Sequence, residues 1–433
     1  MALLGLFYAY ALHALFWGIA LLTLIRIYRV SNNKQATGDT SPAKDISELC
    51  TPVAQEKTPY GKILLFTLGV RLLIPVIGFI LVSSEGYSIT IAELFNYSFR
   101  RGDSNHYLHL ATVGYGWTEN GNHLLLVFFP LYGWLVGLIN LLLGHYLVSA
   151  YIVSFVSFAA ALCYLYRLVR LEFSASAAWW TLIFISIAPH SFFFGVPMTE
   201  SLFLLTTVMT LYYIRTHKWH LAGIAGAFAI MTRMAGIILI VAAIIELIAH
   251  EKLVALLRTT KWKTFFCILA RKGAWIAVML VGGLVYLAIN WYISGDPFRF
   301  MYYQQTHWHN EFAYFGSVLF AQFENIAAQP HLANAIFIPN ILAFTLAIAA
   351  LTYAAIKRLS STYIVYVLGY IFMSFAVSWL LSGGRYIVAA APVFIFLGHF
   401  AAKWRIAGIL FALAFFAGLL FTMREYLLGG MIF

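Results

Sequence analysis

The sequence predicts an all-α polytopic membrane protein with about 12 transmembrane helices, in a range of about 11–13. Three observations carry that expectation. Of the 433 residues, 62% are hydrophobic and only 10% charged, against about a quarter charged in soluble domains. Runs such as 3–28, 63–82 and 406–428 reach the length of about 20 apolar residues that a helix needs to cross the hydrocarbon core. The short alternating segments of a β-barrel are not seen, and lipid accepts only helices or closed barrels as spanning structures.

Taken in order, the first apolar run has no basic segment before it and no small-residue cleavage signal after it, and reads as a retained helix. Residues 29–59, rich in Thr, Ser, Lys and Asp, read as a flexible inner linker. Further spans are expected near 61–82, 146–168, 177–196, 200–216, 219–232, 236–250, 274–293, 336–356, 362–381, 386–402 and 406–427. Loop charge orients them. The loop 258–272, with Lys261 and Lys263, is the strongest inside marker. Alternation from it places Lys34, Lys44 and Lys57, "RLVR" (167–170), "RTHK" (215–218), "KR" (357–358) and "KWR" (403–405) inside as well.

All but seven of the 27 basic residues are then inside, and the seven are Arg71, Arg100, Arg101, Arg233, Arg299, Arg385 and Arg424. None is a lysine. Arginine's planar fork suits bidentate phosphate contacts, where lysine offers a point charge, so the remaining set points to an anionic ligand. In this scheme 124–143 is a re-entrant, membrane-dipping part of the first outer loop. The alternative lets it span and fuses 219–250 into one crossing, which puts "RLVR" and "RTHK" outside. Two outer segments, 83–145 and 294–336, exceed simple turns, and loops of that length are usually functional. The formal charge of +11 invites a nucleic-acid reading, but the basic residues sit between spans, where they set topology; no nucleic-acid partner is expected. Cys50, Cys163 and Cys267 are scattered, without a disulfide framework or metal spacing.

The polar clusters lie in the outer segments. "TIAE" (90–93) reads as a capping box opening a helix that Gly102 interrupts. Asp103 then either caps a helix beginning at Ser104 or acts as a base, since His106 and Tyr107 share its helix face and Arg100 and Arg101 adjoin it. In "APHSFFFGVPMTESLF" (188–203), Thr199 suits an N-cap, and Glu200 is an ionisable group at membrane depth, which usually faces a cavity. Arg233 in "MTRMAG" needs an anion, either Glu200 or a substrate phosphate. Arg71 and Arg385 pose the same question; Arg385 in "SGGRYI" stands at a helix start whose amides also favour anions. "GDPFRFMYYQQTHWHNEF" (295–312) reads as a turn followed by an interfacial aromatic belt; His307 and His309 have no acidic partner at ligand spacing, so no metal site is assigned.

In this order over about residues 95–395, "RRGDSNHYLHLATVGY", "FFPLY", "PMTESLF", "TRMAG", "GDPFRFMYYQ" and "GGRY" resemble the PIG-V family of GPI mannosyltransferase 2 and its bacterial relatives. The resemblance implies a GT-C glycosyltransferase fold whose long first outer loop carries an acidic catalytic residue, with a polyprenyl-phosphate sugar, typically mannose, as donor. Asp103 matches the loop-one aspartate, Glu200 the acidic position of the Thr-Glu-Ser motif, and Arg233 and Arg385 the later arginines. The chain departs from the family where Gly102 replaces the usual Trp and where Pro197 and Met198 precede Thr199.

The resulting expectation is inverting transfer from a polyprenyl-phosphate donor to a lipid- or glycan-linked acceptor hydroxyl, in the bilayer. Asp103 is the base. Arg233 and Arg385, then Arg101 and Arg100, with Glu200, His106, Tyr107 and Gln304, form the substrate and phosphate site. No cofactor is required, and a divalent cation stays open. Residues 1–60 are expected to form an extra helix plus linker, 61–293 the catalytic core, and 294–433 the second outer loop and last helices. The implied location is the outer face of a bacterial cell membrane, or alternatively the endoplasmic reticulum membrane. A lipid-linked sugar flippase or a non-catalytic assembly subunit is the rival reading; no convincing internal repeat of the transporter kind is present.

Overall fold

Helices account for the architecture that composition demands. The computed structural model describes residues 2–33 and 57–432; Lys34, Lys44, Cys50 and most of the expected linker lie outside those residues. Among the described residues no strand forms, and only two isolated bridges occur, Glu119 with Asn122 and Phe312 with Val377. In chain order the main helices are α1 (Ala2–Asn32), α2 (Tyr60–Ser84), α3 (Asp103–Val113), α4 (Pro130–Leu143), α5 (Tyr146–Arg170), α6 (Ala175–Ile187), α7 (Glu200–Arg215), α8 (Trp219–Thr232) and α9 (Ile238–His250). They continue with α10 (Trp262–Val278), α11 (Leu280–Ser294), α12 (Arg299–Trp308), α13 (Phe315–Ala328), α14 (Ile338–Ile356), α15 (Ser361–Phe375), α16 (Gly383–Ala389), α17 (Ala391–Lys403) and α18 (Arg405–Leu427). The chain is an all-α multi-span membrane protein. By length and composition five helices can cross a membrane, or up to seven if each of two bent pairs counts as one span.

Each of the 12 expected spans falls on a helix, but several are cut short for local reasons. The 177–196 segment is helical only to Ile187. Pro189 forces Ala188 into an extended conformation (φ −59°, ψ 150°), and a 3₁₀ turn, Ser191–Gly195, follows. The 362–381 segment stops at Phe375, where the chain leaves the helix and pairs with the segment 294–336 through Ala313 N–H to Ala376 O (3.1 Å) and Ser378 N–H to Glu311 O (2.9 Å). Between α16 and α17 the axis bends by 71°.

The helix ends sort into two sets. At one end Arg26 donates to Leu359 O (2.6 Å), Arg215 pairs with Glu172 (2.9 Å) and Glu246 (2.7 Å), and Lys272 pairs with Glu251 (2.6 Å). These are residues the charge pattern places inside. At the other end Arg424 meets Glu85 (2.6 Å), Arg101 donates to Tyr426 O (2.7 Å), and Tyr303 Oη accepts from His123 N–H (3.2 Å). The rings of His217 and His250 stack with centroids 3.6 Å apart, so residues 219–250 begin and end together. They form a hairpin, which removes the alternative of one fused crossing. Tyr132, near the start of α4, donates to Ala150 O (3.0 Å) beside Ser154; α4, at 14 residues, therefore packs back on the first third of α5.

The first helix is not peripheral. Phe16 and Ile19 are buried in the main core, Trp17 donates to Tyr314 Oη (3.0 Å) at one end, and Ser31 donates to Ile248 O (2.9 Å) at the other. In lipid, helices associate through close packing rather than a hydrophobic drive, and small residues permit it. Gly282 in α11 shows this, since a Cβ there would lie 2.0 Å from the carbonyl oxygen of Ala227 in α8. Gly282→Ala is expected to lower stability by about 1–3 kcal/mol through forced separation of α8 and α11. Gly283→Ala, whose Cβ would meet only Ile230 at 3.6 Å, is expected to be near neutral; thermal unfolding in detergent compares the two.

Candidate active site

The segment 83–145 turns at Gly102. Thr90 and Glu93 form the expected capping box, a π-helical turn follows over Leu94–Ser98, and Gly102 then adopts φ 55°, ψ −132°. A side chain is strained in that region, so glycine here is a backbone requirement. Helix α3 begins at Asp103 itself, with Gly102 in the capping position and no side-chain cap. The capping role weighed for Asp103 is therefore not the one it fills. Its Oδ2 accepts a hydrogen bond from Arg385 Nη1 at 2.8 Å.

Arg385 comes from the short helix α16, whose start is held by Asn340. That side chain accepts from Gly383 N–H (2.8 Å) and donates to Leu380 O (2.8 Å) and Gln322 Oε1 (3.1 Å). The Arg385 Nε donates to Glu200 Oε1, the first residue of α7. Arg233, in the extended break between α8 and the 3₁₀ turn that leads into α9, donates from Nη1 to the same Glu200 oxygen at 2.9 Å. Two carboxylates and two guanidiniums thus form one chain, Asp103–Arg385–Glu200–Arg233. Its exposure is graded: Glu200 and Arg385 side chains are 0% and 4% exposed, Arg233 17%, and Asp103 36%. The carboxylate that can meet a substrate is Asp103.

Burial pushes the Asp103 carboxyl up, but the Arg385 charge and hydrogen bond outweigh this, helped by His106 and Arg233, and hold it below its ordinary range. Burial pushes the Tyr107 phenol up to about 12, so it stays protonated near neutral pH. Asp103, His106, Tyr107, Arg233 and Arg385 face a cavity of about 1340 Å³. Gln304 of α12 lies on its wall, with Gln305, Trp308, Glu311 and Tyr370. His106 stacks on Phe128 at 4.9 Å.

Other expected site residues sit elsewhere. Glu200 is not on the cavity wall. Arg100 donates to Asn105 Oδ1 (2.9 Å) and Arg101 to Tyr426 O, so both fasten the loop instead of facing the cavity. Arg71 is buried in α2 with its guanidinium 3.9 Å above the Phe158 ring. Thr199 precedes α7 without capping it. Among the described residues no three His, Cys, Asp or Glu side chains gather as around a metal ion. Sequence reading missed Trp308 and Glu311, because the aromatic and polar alternation in 295–312 looks the same in a membrane belt as in a cavity wall.

A family model described as dolichyl-phosphate-mannose-protein mannosyltransferase matches residues 129–281. That segment is similar to a mannosyltransferase family. It holds Glu200 and Arg233 but not Asp103 or Arg385. The chain is also similar to the oligosaccharyltransferase of Archaeoglobus fulgidus in the apo form, with TM-score 0.42 and 12% identity, covering 83% of this chain and 56% of that one. A second similar structure is archaeal oligosaccharyltransferase AglB from Archaeoglobus fulgidus in complex with an inhibitory peptide and a dolichol-phosphate, with TM-score 0.39 and 13% identity, covering 84% and 55%. The chain thus spans about half the length of these structures. No curated protein matches it.

Arg385→Met removes one of the two cations on buried Glu200 and is expected to destabilise by about 2 kcal/mol. That is less than the ~3–5 kcal/mol of a fully orphaned buried charge, because Arg233 remains at 2.9 Å. Arg100→Met, at an exposed loop position, is expected to stay within about 0.5 kcal/mol of the parent. Denaturation of the purified proteins in detergent measures both.

Proposed function

We propose that this protein is a membrane glycosyltransferase of the GT-C type that moves a mannosyl group from a polyprenyl-phosphate donor to a hydroxyl of a lipid- or glycan-linked acceptor. The reading rests on one observation above all: Asp103, partly exposed to the cavity, lies 2.8 Å from Arg385, with Arg233 on the same cavity wall. The similarity of residues 129–281 to a dolichyl-phosphate-mannose-protein mannosyltransferase family supports it. The graded charge of the basic loops favours the outer face of the membrane for this cavity.

In this mechanism the ionised Asp103 takes the proton of the acceptor hydroxyl as its oxygen attacks the anomeric carbon. The carbon–oxygen bond to phosphate breaks as the new glycosidic bond forms, and the configuration inverts. The bonding electrons leave with the phosphate, whose growing charge Arg233 and Arg385 stabilise. A phosphate leaving group needs little acid assistance, so one carboxylate serves where a glycosidase uses two. Tyr107, His106 and Gln304 orient the sugar. The apolar wall, with Phe128, Phe129 and Phe300, holds the first isoprene units.

Asp103→Asn is expected to reduce transfer of labelled mannose from polyprenyl-phosphate mannose by about 10²–10⁴-fold, with unfolding temperature kept. Parental rates in the folded variant would remove Asp103 as the base, and a parent that labels no lipid or glycan of a membrane extract would remove the enzyme reading. The depressed Asp103 acidity sets the pH dependence. The base is ionised above its pKa, so kcat/KM is expected to stay level through neutral pH and to fall only in acid, below the ordinary carboxylate range.

A further inference from the structure

Glu200 stands out as a titratable side chain that the mechanism above does not use. It is completely buried, lies off the cavity wall, and spends one oxygen, Oε1, on two guanidiniums. Among the described residues its second oxygen, Oε2, has no hydrogen-bond partner. The two arginines it gathers differ in their other commitments. Arg385 is 4% exposed and occupied on both sides, by Glu200 at Nε and Asp103 at Nη1. Arg233 is 17% exposed, and its one hydrogen bond to an acid is the one to Glu200.

We infer that Glu200 is a positioning residue that sets the two arginines apart: it holds Arg385 against Asp103, so that this cation orients the base besides adding its charge to the phosphate site, and it keeps Arg233 off Asp103 and available to the donor phosphate alone. This rests on the glycosyltransferase reading. The physical reason lies in charge balance. Without Glu200, two neighbouring guanidiniums would repel each other in a poorly solvated pocket, and Asp103 alone would draw both. With it, Asp103 has one fixed partner, and the remaining cation stands on the cavity wall, partly exposed, where an anionic ligand can reach it. Glu200 is also the first residue of α7, where the helix N-terminus favours a carboxylate.

A structural role alone and a substrate-binding role alone make different predictions. The test is steady-state transfer from polyprenyl-phosphate mannose by the full-length protein in detergent or lipid, with Glu200→Gln and Glu200→Asp beside the parent. Glu200→Gln is expected to lower kcat by about a hundredfold, the cost of misplacing a catalytic group by about 1 Å, while KM for the donor stays level or falls. The charged and titratable groups around Asp103 are Arg385, His106, Arg233, Tyr107 and Tyr426. Freed from Glu200, both arginines press on the Asp103 carboxylate, so the acid limb of kcat/KM is expected to move to lower pH. Glu200→Asp, which keeps the charge, is expected to recover at least tenfold of the lost kcat and the parental acid limb.

A donor KM that rises while kcat holds would show Glu200 to contact the substrate and overturn the proposal. So would loss of kcat with an unmoved acid limb and no rescue by Asp. If Glu200→Gln does not fold, the Glu200→Asp profile decides by the same criteria: a raised KM at constant kcat refutes, a modest kcat loss at constant KM supports. A parent inactive with every acceptor would instead count against the glycosyltransferase reading itself.

Discussion

A carboxylate with no access to water, Glu200, must be paired, and much of the cavity-bearing end of this protein is arranged to pair it. Charge at membrane depth is expensive unless partners are supplied. Here they come from Arg233 and Arg385, which lie in different parts of the chain and join Glu200 within one hydrogen-bonded group. Each of the four charged members sits at an interruption of helix. Asp103 and Glu200 open α3 and α7, Arg233 occupies the break between two short helices, and Arg385 belongs to a helix of 7 residues beside a sharp bend. Interruptions of this kind cost hydrogen bonds in lipid and are tolerated where they line a cavity. The short helices and the polar chain are therefore two aspects of one arrangement.

The opposite ends of the helices are held differently. Arg215 bridges Glu172 and Glu246, and His217 closes on Glu246 at 3.1 Å. These contacts tie α5, α7 and α9 at the end that carries the lysines, and none of them borders the cavity. One end is cross-linked by its own ion pairs; at the other, Arg424 pairs with Glu85 away from the cavity, while Asp103, Arg233 and Arg385 line an open space of about 1340 Å³. Backbone contact between α8 and α11 at Gly282 sets the spacing behind that space. The segment 294–336 lines it with α12, anchored where Tyr303 Oη meets the His123 backbone. The two long loops thus form a single enclosure.

Much of this was legible in the residues. Length and apolarity of the runs determined an all-helical membrane protein, because lipid leaves the backbone no other solution. Loop charge sorted the helix ends, and the sorting agrees with contacts such as Arg26 to Leu359 and Arg424 to Glu85. Asp103, His106 and Tyr107 stood out as a polar cluster on one helix face, Arg233 and Arg385 as arginines apart from the basic loops, and Gln304 came with the site that the family resemblance implies; the fold brings all six to one cavity.

Tertiary structure alone decided which of the candidates meet and which do not. Arg100 and Arg101 carry the same guanidinium group as Arg385 and lie closer to Asp103 in sequence, yet they bind Asn105 and the Tyr426 carbonyl, while the partner of Asp103 comes from 282 residues away. Glu200 looked like a cavity-facing acid and proved to be buried behind it. Residues 219–250 could be counted as one span or a hairpin until His217 and His250 were found in contact. Hydropathy and charge report the medium around each segment. They carry no record of the distant side chain that shares its hydrogen bond, and the pairs that join Asp103, Arg385, Glu200 and Arg233 are made across 33 to 282 residues.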